Sequence, residues 1–274
     1  MPELPEVETI VRDIRPALLG RRLDRVRLSH DDVLRGVTRR RLLRQLTGST
    51  VGAVFRRAKH AVLDLGERRL VVQPGMTGSL IVHDHALPAG EERYAVLRVS
   101  LDDGRELVYS DVRRLGTLLL LDRTGWARYD GAIGPEPLDP GFTAERFGEA
   151  MRRSRQAVKK VIMDQRHLAG VGNIYANEAL FAAGIDPSKP AVRLTPGDHR
   201  RLHREIRRIL AAAIESSGTT FRDYRTGTGE PGNFQLELFV YGREGEPCRR
   251  CGTRLTGTHT IDARISVFCH RCQS

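Results

Sequence analysis

The sequence predicts an α+β chain of several domains: an N-terminal antiparallel β-sandwich led by a helix, a helical domain, and a C-terminal β-hairpin organised by four cysteines. Three observations carry this reading. Apolar residues recur with a strand period between residues 21 and 130 and with a helical period beyond residue 143. A segment holding Pro135, Pro137 and Pro140 divides the two regimes. All four cysteines fall in the last 27 residues. The expected boundaries are 1–130 for the sandwich, 131–142 for the linker, 143–239 for the helical domain and 240–274 for the cysteine hairpin.

The first helix is expected over residues 5–20, because Val7, Ile10, Val11, Ile14 and Leu18 share one face. Pro5 suits its first turn and Gly20 its stop, while Pro16 should bend or end the last turn. Strands follow at 51–55, 60–66, 69–73, 77–83, 95–101, 106–111 and 117–122, separated by turn signals such as Asp103-Gly104. Many short strands without helices between them argue for an antiparallel sandwich. Two arginine-dense stretches, 39–44 and 56–57, interrupt the pattern. Helices are expected at 143–152, 155–166, 173–183 and 197–216, with a tight glycine turn through Gly170 and Gly172 joining the second and third. Residues 218–233, rich in Gly and Thr, read as a loop, and 234–240 as a strand.

The chain has 274 residues, 40% of them hydrophobic, enough for a sizeable core. No apolar run approaches the roughly 18 residues of a membrane span, and the Pro- and Glu-rich start is unlike a secretory or transit signal. A cytoplasmic globular protein with no membrane partner is therefore expected. Forty-five Lys and Arg against 34 Asp and Glu give +11, which favours a polyanionic partner. Only Lys59, Lys159, Lys160 and Lys189 are lysines, so each lysine in this arginine-rich chain draws notice.

The cysteines are spaced Cys248-x2-Cys251-x17-Cys269-x2-Cys272. Two such knuckles match a tetrahedral four-thiolate zinc site. A pair of disulfides is the alternative, but it suits a secreted protein, and the rest of the chain has no cysteine. One structural Zn2+ is expected, closed to substrate because no Asp, Glu or His replaces a thiolate.

Two further places can carry chemistry. Removal of Met1 would leave Pro2 with a free secondary amine, whose reference pKa of about 8 lies far below the ~10.4 of lysine. Such an amine can attack an electrophilic sugar carbon. The product is an iminium, whose fixed charge acidifies the adjacent C–H and drives elimination. Glu3 beside it can donate a proton if burial raises its pKa. On these residues alone, a plain Pro/Glu helix start is the more economical account. The second place is the turn before Asn173, where glycines and a helix N-terminus could receive a phosphate, with Lys159 as a point charge. A helix-two-turn-helix gripping DNA fits that turn, and a plain helical hairpin fits almost as well.

Several motifs together resemble bacterial formamidopyrimidine-DNA glycosylase. They are Met1-Pro2-Glu3-Leu4-Pro5-Glu6-Val7-Glu8, Asp111-Val112-Arg113-Arg114-Leu115-Gly116, Gly134-Pro135-Glu136-Pro137-Leu138, Val171-Gly172-Asn173-Ile174-Tyr175-Ala176-Asn177-Glu178 and Tyr241-Gly242-Arg243-Glu244-Gly245-Glu246-Pro247-Cys248. With the cysteine knuckles, they run in one order from Pro2 to Gln273 without large gaps. The resemblance implies a bifunctional enzyme of base-excision repair. It would remove 8-oxoguanine and formamidopyrimidines from damaged double-stranded DNA and nick the abasic strand by β,δ-elimination. A monomer in the bacterial cytoplasm, at the nucleoid, is the corresponding expectation.

By the same resemblance Pro2 is the Schiff-base nucleophile, Glu3 the general acid or proton shuttle, Lys59 an aid to β-elimination, and Arg264 a phosphate ligand serving δ-elimination. Met76, Arg113 and Leu115 match the residues that fill the gap left by the flipped base, an apolar wedge being a known way to hold DNA bent. Arg155, Lys159, Asn173 and Tyr241 match phosphate contacts. Thr219, Thr220, Phe221, Arg222, Asp223 and Tyr224 match the loop that closes over the base. The chain departs from the family pattern at Leu115, where phenylalanine is common, and at Val112, Gln73-Pro74 and Tyr94, the last standing where a DNA-contacting histidine is usual. These departures bear on lesion search and damage preference. The alternatives are the sister glycosylase for oxidised pyrimidines and a non-catalytic zinc protein that binds DNA.

Overall fold

The computed structural model describes residues 2–84, 87, 90–220 and 224–274. The chain forms two compact units, Met1–Gly131 with Ser216–Gln235, and Ala132–Glu215 with Leu236–Ser274.

The first unit is a β-sandwich. Its opening helix, α1 (Leu4–Leu18), buries Val7, Ile10, Val11, Ile14 and Leu18 almost completely. At roughly 1.5–3 kcal/mol per buried aliphatic side chain, that face anchors the N-terminus firmly. Pro16 stays inside the helix, which ends two residues later; Gly20, at φ +76°, turns the chain out. One sheet has the order β1 (Leu23–Leu28), β6 (Ala95–Leu101), β7 (Glu106–Asp111), β5 (Gly78–His83). The other runs β2 (Ala53–Arg57), β3 (His60–Asp64), β4 (Arg68–Gln73), β8 (Thr117–Asp122). Every pairing is antiparallel. Alternate residues of both sheets, among them Leu63, Val72, Leu80, Val99 and Leu118, meet α1 in one apolar core.

Three elements of this unit lie outside the expected pattern. β1 is an edge strand with arginines on its outer positions. The arginine-rich stretch is a helix, α2 (Arg39–Leu46), with Thr38 capping Arg41 N–H and only Leu42 and Leu46 buried. α3 (Arg123–Gly131) follows β8 directly and buries no residue fully, so its apolar signal is weak. The segment Ser216–Gln235 returns to this unit, and Gly227 N–H donates to Asp13 Oδ2 of α1 at 2.9 Å.

The second unit contains α4 (Ala144–Arg152), α5 (Val158–Met163), α6 (Asn173–Ala183) and α7 (Pro196–Glu215), then the hairpin β9 (Thr256–Thr258) and β10 (Ser266–Phe268). The turn between α5 and α6 is held by one side chain. Gln165 donates to the carbonyls of Met163 and Val171 at 2.8 and 2.9 Å, and its Oε1 accepts Gly170 N–H at 2.8 Å. Gly134 N–H donates to Gln165 O at 2.8 Å and Ala169 N–H to Pro135 O at 3.0 Å. The segment expected to be a bare linker is thus tied to the turn. A side chain at Gly134 would run into the Arg166 carbonyl at 2.7 Å. The strand expected at 234–240 is instead a short 3-10 turn, Phe234–Glu237, followed by irregular chain. No helix among the described residues is long and apolar enough to cross a membrane.

Candidate active site

Pro2 and Glu3 are buried at the head of α1, Glu3 with 2% of its surface exposed. A capping box explains the geometry: Glu3 is the N-cap residue and Glu6 reaches back to it, Oε2 accepting Glu3 N–H at 2.8 Å. The other oxygen, Oε1, accepts Thr219 N–H at 2.7 Å. Glu6 thus fixes the peptide that follows Pro2 and the start of the 219–224 loop together. Tyr224, at the far end, shares its hydroxyl between the carbonyls of Glu6 (3.2 Å) and Ser217 (3.1 Å). Gly218 has φ +79°, and a side chain there would meet Glu6 Oε1 at 2.9 Å. Thr219 and Tyr224 are buried, and Thr220 is half-buried; Phe221, Arg222 and Asp223 lie outside the described residues. Glu6 was not singled out from the sequence, although its spacing of three from Glu3 is the signature of such a box.

Lys59 is 7% exposed, at the tip of the β2–β3 hairpin. That hairpin lies against α1 through Arg56 Nε, which donates to Glu8 Oε2 at 3.0 Å, and Arg15 Nε, which donates to the Val54 carbonyl at 2.7 Å. Burial alone would push the Glu8 carboxyl up, but the Arg56 and Arg12 guanidiniums outweigh it and hold it below the usual range.

Met76, Arg113 and Leu115 are brought together at the surface. Met76 and Leu115 are 44% and 49% exposed, and Arg113 Nη1 lies 3.7 Å from Met76 Sδ. Buried Asp111 organises the loop that carries the last two. Its carboxylate accepts from Thr77 Oγ1 (2.5 Å), Gly116 N–H (2.8 Å), the Tyr109 hydroxyl (3.1 Å) and Arg113 N–H (3.3 Å). Gly75 and Gly116 let the two loops touch, since a side chain on either would strike the opposing backbone. Tyr94 is half-buried under the Arg93 guanidinium, 4.5 Å from its ring, and lines a cavity of about 240 Å3 with Thr77, Ser79, Ile81 and Ser110.

In the second unit Arg155 and Arg264 are exposed, Arg264 in the turn between β9 and β10. Lys159 departs from its expected place. It is fully buried, and its ammonium donates to Ile265 O at 3.0 Å and Ser266 Oγ at 2.7 Å. A buried ammonium needs such acceptors, so here Lys159 braces the residues just after Arg264 instead of presenting its charge at the surface. Asn173 opens α6, where its carbonyl accepts from Asn177 Nδ2 at 2.6 Å. Two residues of the same helix, given no role from the sequence, hold neighbouring segments. Asn177 Oδ1 accepts Val267 N–H at 2.7 Å. Buried Glu178 accepts the N–H groups of Phe239, Val240 and Tyr241 at 2.8–2.9 Å, which sets the backbone of half-buried Tyr241. Burial pushes the Glu178 carboxyl up, against the pull of those three donors.

The four cysteines are unpaired thiols whose sulfurs all lie within 4.8 Å of one another, with Cys251 and Cys269 3.5 Å apart. A tetrahedron of sulfurs about 2.3 Å from a central ion has edges of about 3.8 Å, so the donor set fits one metal ion of that size. Hydrogen bonds from Thr253 draw the Cys251 thiol down to about 6, whereas burial pushes Cys269 up and Cys272 up to about 12.

Comparison with known proteins agrees with this geometry. Residues 1–118 match the model of the formamidopyrimidine-DNA glycosylase N-terminal domain, and residues 133–225 that of the formamidopyrimidine-DNA glycosylase H2TH domain. The chain is 46% identical to the formamidopyrimidine-DNA glycosylase of Stutzerimonas stutzeri and 45% identical to that of Pseudomonas aeruginosa, covering 100% of each chain. Among solved structures it is similar to the MutM (Fpg) protein of Thermus thermophilus, with TM-score 0.87, 38% identity and 99% of this chain and 98% of that one covered. It is likewise similar to a Lactococcus lactis Fpg mutant in complex with a Fapy-dG containing DNA, with TM-score 0.91, 32% identity and full coverage of both chains.

Proposed function

The chain belongs to the formamidopyrimidine-DNA glycosylase family, and from that premise we propose the residues that perform its reaction. The protein is a base-excision-repair glycosylase that removes oxidised purines from DNA, and the family couples this to an abasic-site lyase activity. Relatives bearing the purine enzyme's name over the full length favour it over the pyrimidine sister.

Pro2, freed of Met1, attacks C1′ of the damaged nucleotide. The C1′–N bond breaks with its electrons passing to the base, which leaves with a proton, and the newly bonded pyrrolidine nitrogen gives up its own proton. The nitrogen lone pair then expels O4′ from C1′, which forms the C1′=N iminium and opens the sugar, with Glu3 protonating O4′. The iminium nitrogen carries a fixed positive charge, so the adjacent C2′–H becomes acidic. Its loss expels the 3′-oxygen, and a second elimination expels the 5′-oxygen. Lys59 assists the first elimination; Arg264 holds phosphate for the second. Met76, Arg113 and Leu115 occupy the gap in the duplex. Arg155, Asn173 and Tyr241 meet phosphates, with Lys159 acting through the hairpin it braces. Tyr94 lines the DNA-facing cavity, and the 219–224 loop covers the extruded base.

Damaged double-stranded DNA is the partner, met by a monomer in the bacterial cytoplasm at the nucleoid. One Zn2+ held by Cys248, Cys251, Cys269 and Cys272 supplies folding energy to the hairpin that bears Arg264; no chemical step runs through it. The observation that carries the proposal is Pro2 buried at the head of a fully anchored helix, with the next peptide held by Glu6. Borohydride reduction of the protein with abasic DNA tests it: peptide mapping should find the reduced sugar on Pro2, and a cross-link on any lysine would refute the assignment.

A further inference from the structure

Only two residues, Ala58 and Lys59, turn the hairpin between the paired Arg57 and His60. Ala58 has φ +52°, a left-handed conformation that is unfavourable for a non-glycine residue. The tip that presents Lys59 is therefore not held by its own local preference. On the α1 side, Arg56 bonds Glu8 and also donates from Nη1 to the Ala58 carbonyl at 3.0 Å. On the other side stand two consecutive residues of α3. Asp130 Oδ1 accepts from Arg57 Nε at 2.5 Å, and the Tyr129 hydroxyl lies 2.7 Å from His60 Nδ1. Each grips one flank of the two-residue tip.

The His60 ring is held at Nδ1, which lies 2.7 Å from the Tyr129 hydroxyl and 3.2 Å from the Arg57 carbonyl. A hydrogen on Nδ1 can be shared between those two oxygens, whereas a bare Nδ1 accepts from Tyr129 alone; in either tautomer the Tyr129 hydroxyl is the closer partner. Burial keeps the ring neutral, and the neighbouring Lys59 and Arg57 charges reinforce this. α3 itself is docked by the chain's single tryptophan. Trp126 meets Phe55 edge-on at 5.7 Å, lies 5.6 Å from the Tyr129 ring and sits under the Arg69 guanidinium at 4.8 Å.

We propose that Tyr129 and Asp130 are positioning residues for strand cleavage: by fixing His60 and Arg57, they deliver the Lys59 ammonium to the elimination step in one orientation. This rests on the reading of Lys59 given above. The test is single-turnover nicking of preformed abasic-site duplex by saturating full-length protein, comparing wild type, Tyr129→Phe, Asp130→Asn, Lys59→Ala and the Lys59→Ala/Tyr129→Phe double variant. Tyr129→Phe and Asp130→Asn should each slow nicking by roughly 3- to 10-fold, with DNA affinity and Trp126 emission unchanged. Tyr129→Phe should add nothing once Lys59 is gone, the non-additivity expected of coupled residues. Slowing by Tyr129→Phe that is as large in the Lys59→Ala background would mark a general structural effect and overturn the proposal alone, as would wild-type rates in both single variants. Wild-type nicking by Lys59→Ala would overturn the Lys59 reading and the proposal with it.

Discussion

Glu6 and Thr219 stand 213 residues apart in the chain, yet the Glu6 carboxylate accepts the Thr219 amide at 2.7 Å while its other oxygen accepts Glu3 N–H at 2.8 Å. One buried carboxylate thus holds the Thr219 amide and the peptide between Pro2 and Glu3 in common register. Glu6→Gln keeps the shape but offers one acceptor to two donors and sets an NH2 against an N–H. A buried donor left unmet costs about 1–3 kcal/mol. The variant should melt earlier and excise more slowly, with a smaller loss in binding to abasic-site DNA. Thermal melting and single-turnover excision check this; wild-type excision with a lowered melting temperature would show that Glu6 serves stability alone.

Arg113 should read the base left without its partner. Its guanidinium is a fork of donors that matches the O2 and N3 acceptors of cytosine, whereas adenine sets a donor against it. The Asp111 carboxylate holds its backbone in place. A good bidentate contact discriminates by about 1–3 kcal/mol, or roughly 5- to 150-fold. Excision of 8-oxoguanine should be faster opposite cytosine than opposite adenine by about that factor, and Arg113→Ala should erase most of the difference. An unchanged ratio in the variant would move the discrimination to Leu115 and the bending energy of the mispair.

Loss of the metal should act locally. Cys251→Ser removes one thiolate and with it the folding energy that metal binding supplies. The exposed Arg264 turn should loosen and DNA affinity fall, while the N-terminal unit, reported by Trp126 emission, stays folded. Metal analysis should find one Zn2+ per wild-type chain. Wild-type DNA affinity in a demonstrably zinc-free variant would contradict this.

His60 gives a pH signature. Burial, with the Lys59 and Arg57 charges, lowers it to about 4 in the fold, against about 6.5 in the unfolded chain. Between these values the unfolded state binds more protons. The stability linked to the neutral ring is therefore fully present above about pH 6.5 and is lost as pH falls toward 4, by at most about 1.4 kcal/mol per pH unit. On acidification from pH 7.5 to 5, wild type should lose more of its melting temperature than His60→Gln. Equal losses would show that the ring does not titrate as its surroundings dictate.

Much of this was legible in the sequence, for identifiable reasons. α1 shows because its apolar positions are periodic and Pro5 opens it, whereas α6, buried on nearly every side, shows through the glycine turn that precedes it at Gly170 and Gly172. The cysteine site shows because two knuckles at one spacing admit few other readings. α2 and α3 were hidden: α2 buries only two leucines among its arginines, and α3 buries no residue fully. Phe234–Glu237 carries a strand-like composition but turns as a 3-10 helix. Glu178 then takes the amides that follow, Phe239 to Tyr241. The burial of Lys159 could not be read either, because its acceptors at 265 and 266 are more than a hundred residues away.

The central claim is that the Pro2 amine forms the covalent intermediate. Two preparations of the same chain decide it: one whose N-terminus is shown by mass spectrometry to be Pro2, and one that retains Met1 or an N-terminal extension. Both are incubated with abasic-site duplex and borohydride. The account predicts an irreversible protein–DNA adduct from the first, and from the second DNA binding without excision or adduct. An adduct formed equally by the fully blocked protein would place the nucleophile on a lysine and contradict it.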